Sequence, residues 1–266
     1  MKSKKPTKNE KNINSQRLKV AIFDLTDCEG CELVLINLRE KLALLNEQTD
    51  IANWRFAFDN HNLGPFDVSF IEGSPTAEKD IEITKQARAV SKYVVTLGSC
   101  AELGGIQATL NNNEWEEGIK EVYGNSYKTK NKAPKPVSYY IDVDYHLPGC
   151  PINQNELAQL ITSIISEKKP TEYRSPVCLE CKARENTCLF LEGEPCLGPI
   201  TKGGCEAVCP SRGLRCWGCF GPLSGGNHKA LKRNFEKQFG KDKTKELLKT
   251  FFSQTNEFKE LYPKEK

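Results

Sequence analysis

Long apolar runs are missing from this chain. The longest, such as Leu33–Ile36, fall far short of the roughly 20 residues that span a bilayer, which excludes direct membrane insertion. The basic tail Met1–Gln16 has no apolar stretch behind it and no twin-arginine pair, so it does not read as an export signal. Nor does a basic stripe interleaved with aromatics follow it, which argues against a nucleic-acid partner. Charge of either sign is not in large excess: the net value is +3, and much of it lies in the tail. Histidine is scarce. His61, His146 and His228 are the only three, none lies within a group of cysteines, and each reads as a surface or turn residue. A hydrophobic share of 38% and a charged share of 27% describe a globular, fairly polar chain, expected in the cytoplasm.

Cysteine is what the chain has in abundance. There are 12, and a reducing cytoplasm keeps them free as metal ligands rather than disulfides. Cys28, Cys31, Cys100 and Cys150 are spread through the first 150 residues, and the other eight crowd between Cys178 and Cys219. Three sets of four suit three cubane clusters, since each is held by four thiolates. Several clusters in one small chain read as an electron wire.

The first half alternates strands and helices. Leu18–Leu25 is a near-continuous apolar run, as in a parallel strand buried on both faces. Glu32–Leu45 has helical spacing, with Leu35, Leu38, Leu42 and Leu45 on one stripe. Strands are expected at Asn53–Phe58, Val68–Ile71, Tyr93–Leu97 and, more weakly, Ile141–Tyr145. Helices are expected from Pro75 to about Val90 and over Asn153–Ser166. This alternation predicts an α/β fold with a doubly wound parallel sheet, whose ligands bind outside the carboxyl ends of the strands. Cys28 and Cys31 follow the first strand, Cys100 the fourth and Cys150 the fifth, so the topology brings all four to one edge. Gly30, Gly98, Gly104, Gly105 and Gly149 flank them and permit close backbone approach to a bulky group.

The stretch Tyr173–Pro222 has few large apolar residues and many prolines and glycines, so it is expected to depend on metal staples. Its spacing is Cys178-x2-Cys181-x6-Cys188-x7-Cys196, then Cys205-x3-Cys209-x6-Cys216-x2-Cys219. Such pairs also occur in zinc sites, and a zinc-stapled scaffold is the competing reading. Cys209-Pro210 leans toward iron–sulfur. Glu29, Glu32 and Glu102 sit beside these cysteines and read as solvated carboxylates, with proton relay or partner contact as the sharper alternative. Trp217 is placed to shield a cluster from water. The lysine-rich stretch Gly225–Lys266 reads as two helices packed through Leu247, Leu248, Phe251, Phe252, Phe258 and Leu261.

Cys28-Glu29-Gly30-Cys31, Gly98-Ser99-Cys100-Ala101-Glu102-Leu103-Gly104-Gly105-Ile106-Gln107 and Leu147-Pro148-Gly149-Cys150-Pro151 resemble the proximal-cluster motifs of the small subunit of [NiFe] hydrogenases. Pro176-Val177-Cys178-Leu179-Glu180-Cys181 and Pro195-Cys196-Leu197-Gly198-Pro199-Ile200-Thr201 resemble its cytoplasmic branch, the sulfhydrogenase delta and methyl-viologen-reducing type. The resemblance implies a flavodoxin-like domain over 18–170, after a disordered basic tail at 1–17. A cluster-binding C-terminal domain over 171–266 would end in helices. It implies three [4Fe–4S] clusters. Cys28, Cys31, Cys100 and Cys150 would hold the proximal one, Cys178, Cys181, Cys188 and Cys196 the distal one, and Cys205, Cys209, Cys216 and Cys219 the medial one. It implies no catalytic residue in this chain: nickel would sit in a separate large subunit, and electrons would leave through a flavin or iron–sulfur subunit. Membrane-bound relatives carry a glutamate where this chain has Leu33, which puts a proton path through that position in doubt. An electron-transfer subunit of a related complex without hydrogenase activity is the alternative.

Overall fold

The computed structural model describes residues 17–38, 47–59, 62–110, 112–170 and 173–263. The basic tail 1–16, Leu42, Leu45 and His61 lie outside the described residues.

Five parallel strands form one sheet: β1 (Leu18–Asp24), β2 (Thr49–Trp54), β3 (Phe66–Glu72), β4 (Ser91–Leu97) and β5 (Tyr145–Leu147), in the order β2-β1-β3-β4-β5. This is the flavodoxin-like order, with its switch point between β1 and β3. Side chains alternate across the sheet. Val20, Ile22, Val68, Phe70, Val95 and Leu97 face α1 (Gly30–Ile36) and α5 (Gln154–Ile165), where Leu35, Leu157, Leu160 and Ile164 close the core. On the other face Ile71 and Val94 meet Ala87 of α2 (Glu78–Ala89) and Ala101 of α3 (Gly98–Leu103). Helix α4 (Asn112–Tyr123) follows.

Several boundaries differ from the sequence expectation, each for a local reason. β2 ends at Trp54 because the chain turns there, with the amides of Ala57 and Phe58 both donating to the Trp54 carbonyl at 3.1 and 2.9 Å. β5 is only Tyr145–Leu147. The Ile141 amide returns to the Val137 carbonyl at 3.2 Å, and the Asp144 carboxylate accepts the Val94 amide at 2.7 Å. α2 begins at Glu78 rather than Pro75, since the Asp80 carboxylate holds the amides of Thr76 and Ala77, each at 3.0 Å, in a turn before the helix. α5 starts where expected, capped by the Asn153 side chain on the amides of Asn155 and Glu156.

The cysteine-rich stretch carries one helix, α6 (Val177–Ala183), and short 3-10 turns at Gly198–Ile200 and Pro210–Arg212. A small buried cluster of Val177, Cys196, Ala207 and Cys216 lies within it, and half of that cluster is cysteine. Three helices follow rather than two: α7 (His228–Phe239), α8 (Lys241–Phe252) and α9 (Asn256–Leu261). Their Leu231, Phe235, Leu247, Leu248, Phe251, Phe252, Phe258 and Leu261 form a core with Leu197 and Ile200 of the cysteine-rich stretch and Leu103 of α3. Among the described residues no helix is long and apolar enough to cross a membrane.

Candidate metal centres

The carboxyl edge of the sheet assembles the first set. β1 runs through Thr26 and Asp27 to Cys28, and Cys31 lies in the first turn of α1. β4 passes directly into α3, which carries Cys100, and β5 is followed by Gly149 and Cys150. β3 contributes a carboxylate: Glu72, at its end, accepts the amides of Cys31 at 3.0 Å and Glu32 at 2.8 Å. These are two of the amides that a helix start leaves without intrahelical partners. α1 is therefore fastened to the switch point by a residue of another strand.

The four thiols sit within electrostatic reach of one another. Burial raises the Cys31 thiol far above its usual range, and the charges of Glu72 and Cys100 add to that. Burial pushes Cys100 up to about 12, opposed by a hydrogen bond with Gln107 and reinforced by Cys150 and Cys28. Cys150 is raised by burial and then by Cys28. The backbone is shaped around them. Gly98 has φ +81°, and a Cβ there would lie 2.4 Å from the Cys31 sulfur. Gly105, at φ +70°, would place one 2.7 Å from the Cys100 sulfur. Only glycine fits where thiol and backbone approach this closely.

The second set centres on α6, where Cys178 and Cys181 stand one turn apart. Cys178 is pushed up to about 11 by burial and then by Cys196, Cys181 and Cys188, the other three members of its group. Gly198 faces them, with Cβ space only 3.3 Å from the Cys178 sulfur and 3.5 Å from that of Cys196. In the third set, burial raises Cys219 to about 12. The Cys150 amide opposes this, while Cys205, Cys150 and Cys209 add to it. Cys205 is likewise raised to about 12 by burial, then by Glu180. Cys216 is raised by burial and faces both Cys196 and Cys219. All twelve thiols are free, and each set has members within electrostatic reach of one another.

Soft thiolates suit iron–sulfur clusters and zinc alike. Zinc draws its ligands to one point about 2.3 Å from each sulfur. Ionising neighbouring thiols, one of them buried in each set, is costly without a positive centre between them. Four thiols, a glycine-lined approach and amides aimed at sulfur fit a cluster with its own ferric charge.

The neighbouring acids differ from expectation. Glu32 is not solvated: it is fully buried, accepts the Trp54 indole N–H at 2.7 Å, and is raised to about 7 by burial. Leu33 beside it is 46% exposed. Glu102 pairs with Lys202 at 3.3 Å, and Glu29 is half-buried with φ 58°. His146 is exposed, with Nδ1 3.0 Å from the Thr96 hydroxyl, but His228 is buried rather than at the surface. Trp217 is half-exposed under the Arg215 guanidinium, 3.7 Å from its ring. Two acids that sequence reading passed over serve the sites. Glu72 holds α1. Glu180, next to Cys181, accepts the amides of Gly204 at 2.6 Å and Ala207 at 3.2 Å, so it fastens the Cys205 loop to the second set. An acid closing an apolar strand, as in Glu72-Gly73-Ser74, was the signal available for the first.

Comparison with known proteins agrees with this geometry. The family described as "NADH ubiquinone oxidoreductase, 20 Kd subunit" matches residues 28–164, which span the first cysteine set. The chain is 41% identical over 207 residues to the delta subunit of sulfhydrogenase 2 from Pyrococcus furiosus, covering 77% of this chain and 86% of that one. It is 32% identical over 235 residues to a subunit of the F420-non-reducing hydrogenase vhu of Methanocaldococcus jannaschii, covering 77% and 82%. In fold it is similar to a chain of the [NiFeSe] hydrogenase from Desulfovibrio vulgaris Hildenborough. The TM-score is 0.53 at 16% identity, covering 78% of this chain and 94% of that one. The chain belongs to the family of the NADH ubiquinone oxidoreductase 20 Kd subunit and, within it, to the small hydrogenase subunits of the sulfhydrogenase delta and F420-non-reducing hydrogenase branch.

Proposed function

We propose that this chain is the electron-transfer subunit of a cytoplasmic [NiFe] hydrogenase. It would relay electrons between the nickel–iron site of a large subunit and a further flavin or iron–sulfur subunit. The observation that carries this reading is the convergence of Cys28, Cys31, Cys100 and Cys150 on one sheet edge, with two further sets of four following from it. Bound at these sets, three [4Fe–4S] clusters supply one-electron redox chemistry, within a range of roughly −700 to +450 mV.

The chain's own residues would do the rest. Cys28, Cys31, Cys100 and Cys150 hold the proximal cluster, Cys205, Cys209, Cys216 and Cys219 the medial one, and Cys178, Cys181, Cys188 and Cys196 the distal one. Amides aimed at sulfur tune the potential upward, as the Cys216 amide does for Cys196 at 3.3 Å. The buried Leu197 and Phe252, packed against Gly218, keep water from the medial chelate. All twelve cysteines are used, and nickel is left to the large subunit.

A Cys196→Ser change in the assembled complex tests the order. Hydrogen–deuterium exchange, which needs only the nickel site, persists while reduction of the physiological acceptor falls sharply. Unchanged acceptor reduction would remove the distal set from the electron route.

A further inference from the structure

Ser99 stands between Gly98 and Cys100 and is 1% exposed. Serine near a helix start ordinarily caps that helix, yet α3 has no side-chain cap. Instead the Ser99 hydroxyl donates to the Cys219 carbonyl at 2.5 Å, across 120 residues of sequence. Its amide donates to the Gly149 carbonyl at 2.8 Å, and its carbonyl accepts the Gly105 amide at 3.0 Å. One buried side chain and its peptide thus join the loops of Cys100, Cys150 and Cys219.

The chelate Cys216-Trp217-Gly218-Cys219 is held at both ends. At one end the Cys219 carbonyl accepts the Ser99 hydroxyl. At the other, the Cys216 amide donates to the Cys196 sulfur at 3.3 Å and the Cys216 carbonyl accepts the Leu197 amide at 3.0 Å. In the middle, Gly218 presses on Phe252, where an added Cβ would lie 2.9 Å from the ring. The third set is therefore hydrogen-bonded to the second through the Cys216 amide and to the first through the Ser99 hydroxyl. Electron tunnelling weakens steeply as a gap opens, and a hydrogen bond bridges better than an empty contact.

We propose that Ser99 is a positioning residue for electron transfer: its hydroxyl holds the Cys216–Cys219 chelate against the proximal edge, keeping the medial set hydrogen-bonded to both neighbouring sets. The proposal rests on the three-cluster reading above. Leu197, Phe252 and the ligands themselves hold the chelate together, so removal of one hydroxyl loosens its placement without dismantling it.

The experiment uses the intact complex, wild type and Ser99→Ala. Iron and labile sulfide per chain are measured first, then the EPR splitting between reduced neighbouring clusters. The rate at which electrons from hydrogen reach the medial cluster is followed by freeze-quench EPR. The expected result is an unchanged iron content, an altered splitting and a slower transfer to the medial cluster. Unaltered splitting and rate would overturn the proposal. So would loss of medial iron or failure to assemble, which would make Ser99 a support of the fold instead. Failure of the three-cluster reading is distinguishable, because it would appear as missing iron in the wild type.

Discussion

Gly98→Ala is the sharpest local perturbation available, and Gly124→Ala is its control. Both glycines have φ +81°, so both substitutions carry the same backbone strain, about 1–2 kcal/mol for an L-residue in the left-handed region. Their surroundings differ completely. A Cβ at Gly124 meets nothing within 4 Å, whereas one at Gly98 lies 2.4 Å from the Cys31 sulfur. That is about 1 Å inside ordinary contact, and ligand distances tolerate only about 0.2 Å. Cys31 cannot yield readily, because Glu72 fixes its amide at 3.0 Å and the residue is buried. The overpacking adds about 1–3 kcal/mol to the strain and falls on one proposed ligand. The expected outcome is a complex with about eight iron per chain for Gly98→Ala, one cubane of four missing, against about twelve for Gly124→Ala. Colorimetric iron and sulfide assays on anaerobically purified samples, with thermal melting alongside, read the difference. Full iron content in Gly98→Ala would refute the reasoning that the glycine edge exists to admit a cluster.

Two further outcomes follow from the acids. Glu180→Ala leaves the amides of Gly204 and Ala207 without their charged acceptor, at about 1–3 kcal/mol for each unpaired buried group. Limited proteolysis should then cut within 203–210 earlier than in the wild type, and an unchanged cleavage pattern would show that the loop is held elsewhere. Glu156 is buried, and burial raises its carboxyl to about 8, opposed by Lys202 and reinforced by Glu180, Glu102 and Glu206. The folded chain binds this proton more tightly than the unfolded chain, so the stability cost grows as pH rises from about 4.5 to about 8. Glu156→Gln should melt close to the wild type at about pH 5 and above it at about pH 8. A melting gap that does not widen with pH would contradict this assignment.

Much of the site was legible in the sequence, because its signals are local. Strands such as Tyr93–Leu97 end in Gly98-Ser99-Cys100, and parallel topology alone then sends the cysteines to one edge. The C-x-x-C chelates of the second half are equally local. What stayed hidden depends on partners far away in sequence. Glu72 meets α1 amides across 40 and 41 residues, and Ser99 meets Cys219 across 120. Glu32 reads as polar until Trp54 closes over it. The third C-terminal helix was missed because α8 gives way to α9 through a cap rather than a glycine or proline: the Thr255 side chain accepts the Phe258 amide at 3.2 Å. The strand ends of β2 and β5 are set by turns and by Asp144, which apolar patterning does not register.

Metal analysis of the anaerobically purified complex tests the central claim most directly. About twelve iron and twelve acid-labile sulfide are expected per copy of this chain, with three [4Fe–4S] signals resolved in a redox titration. Stoichiometric zinc with negligible iron and sulfide would contradict the electron-wire reading and turn the cysteine sets into structural staples.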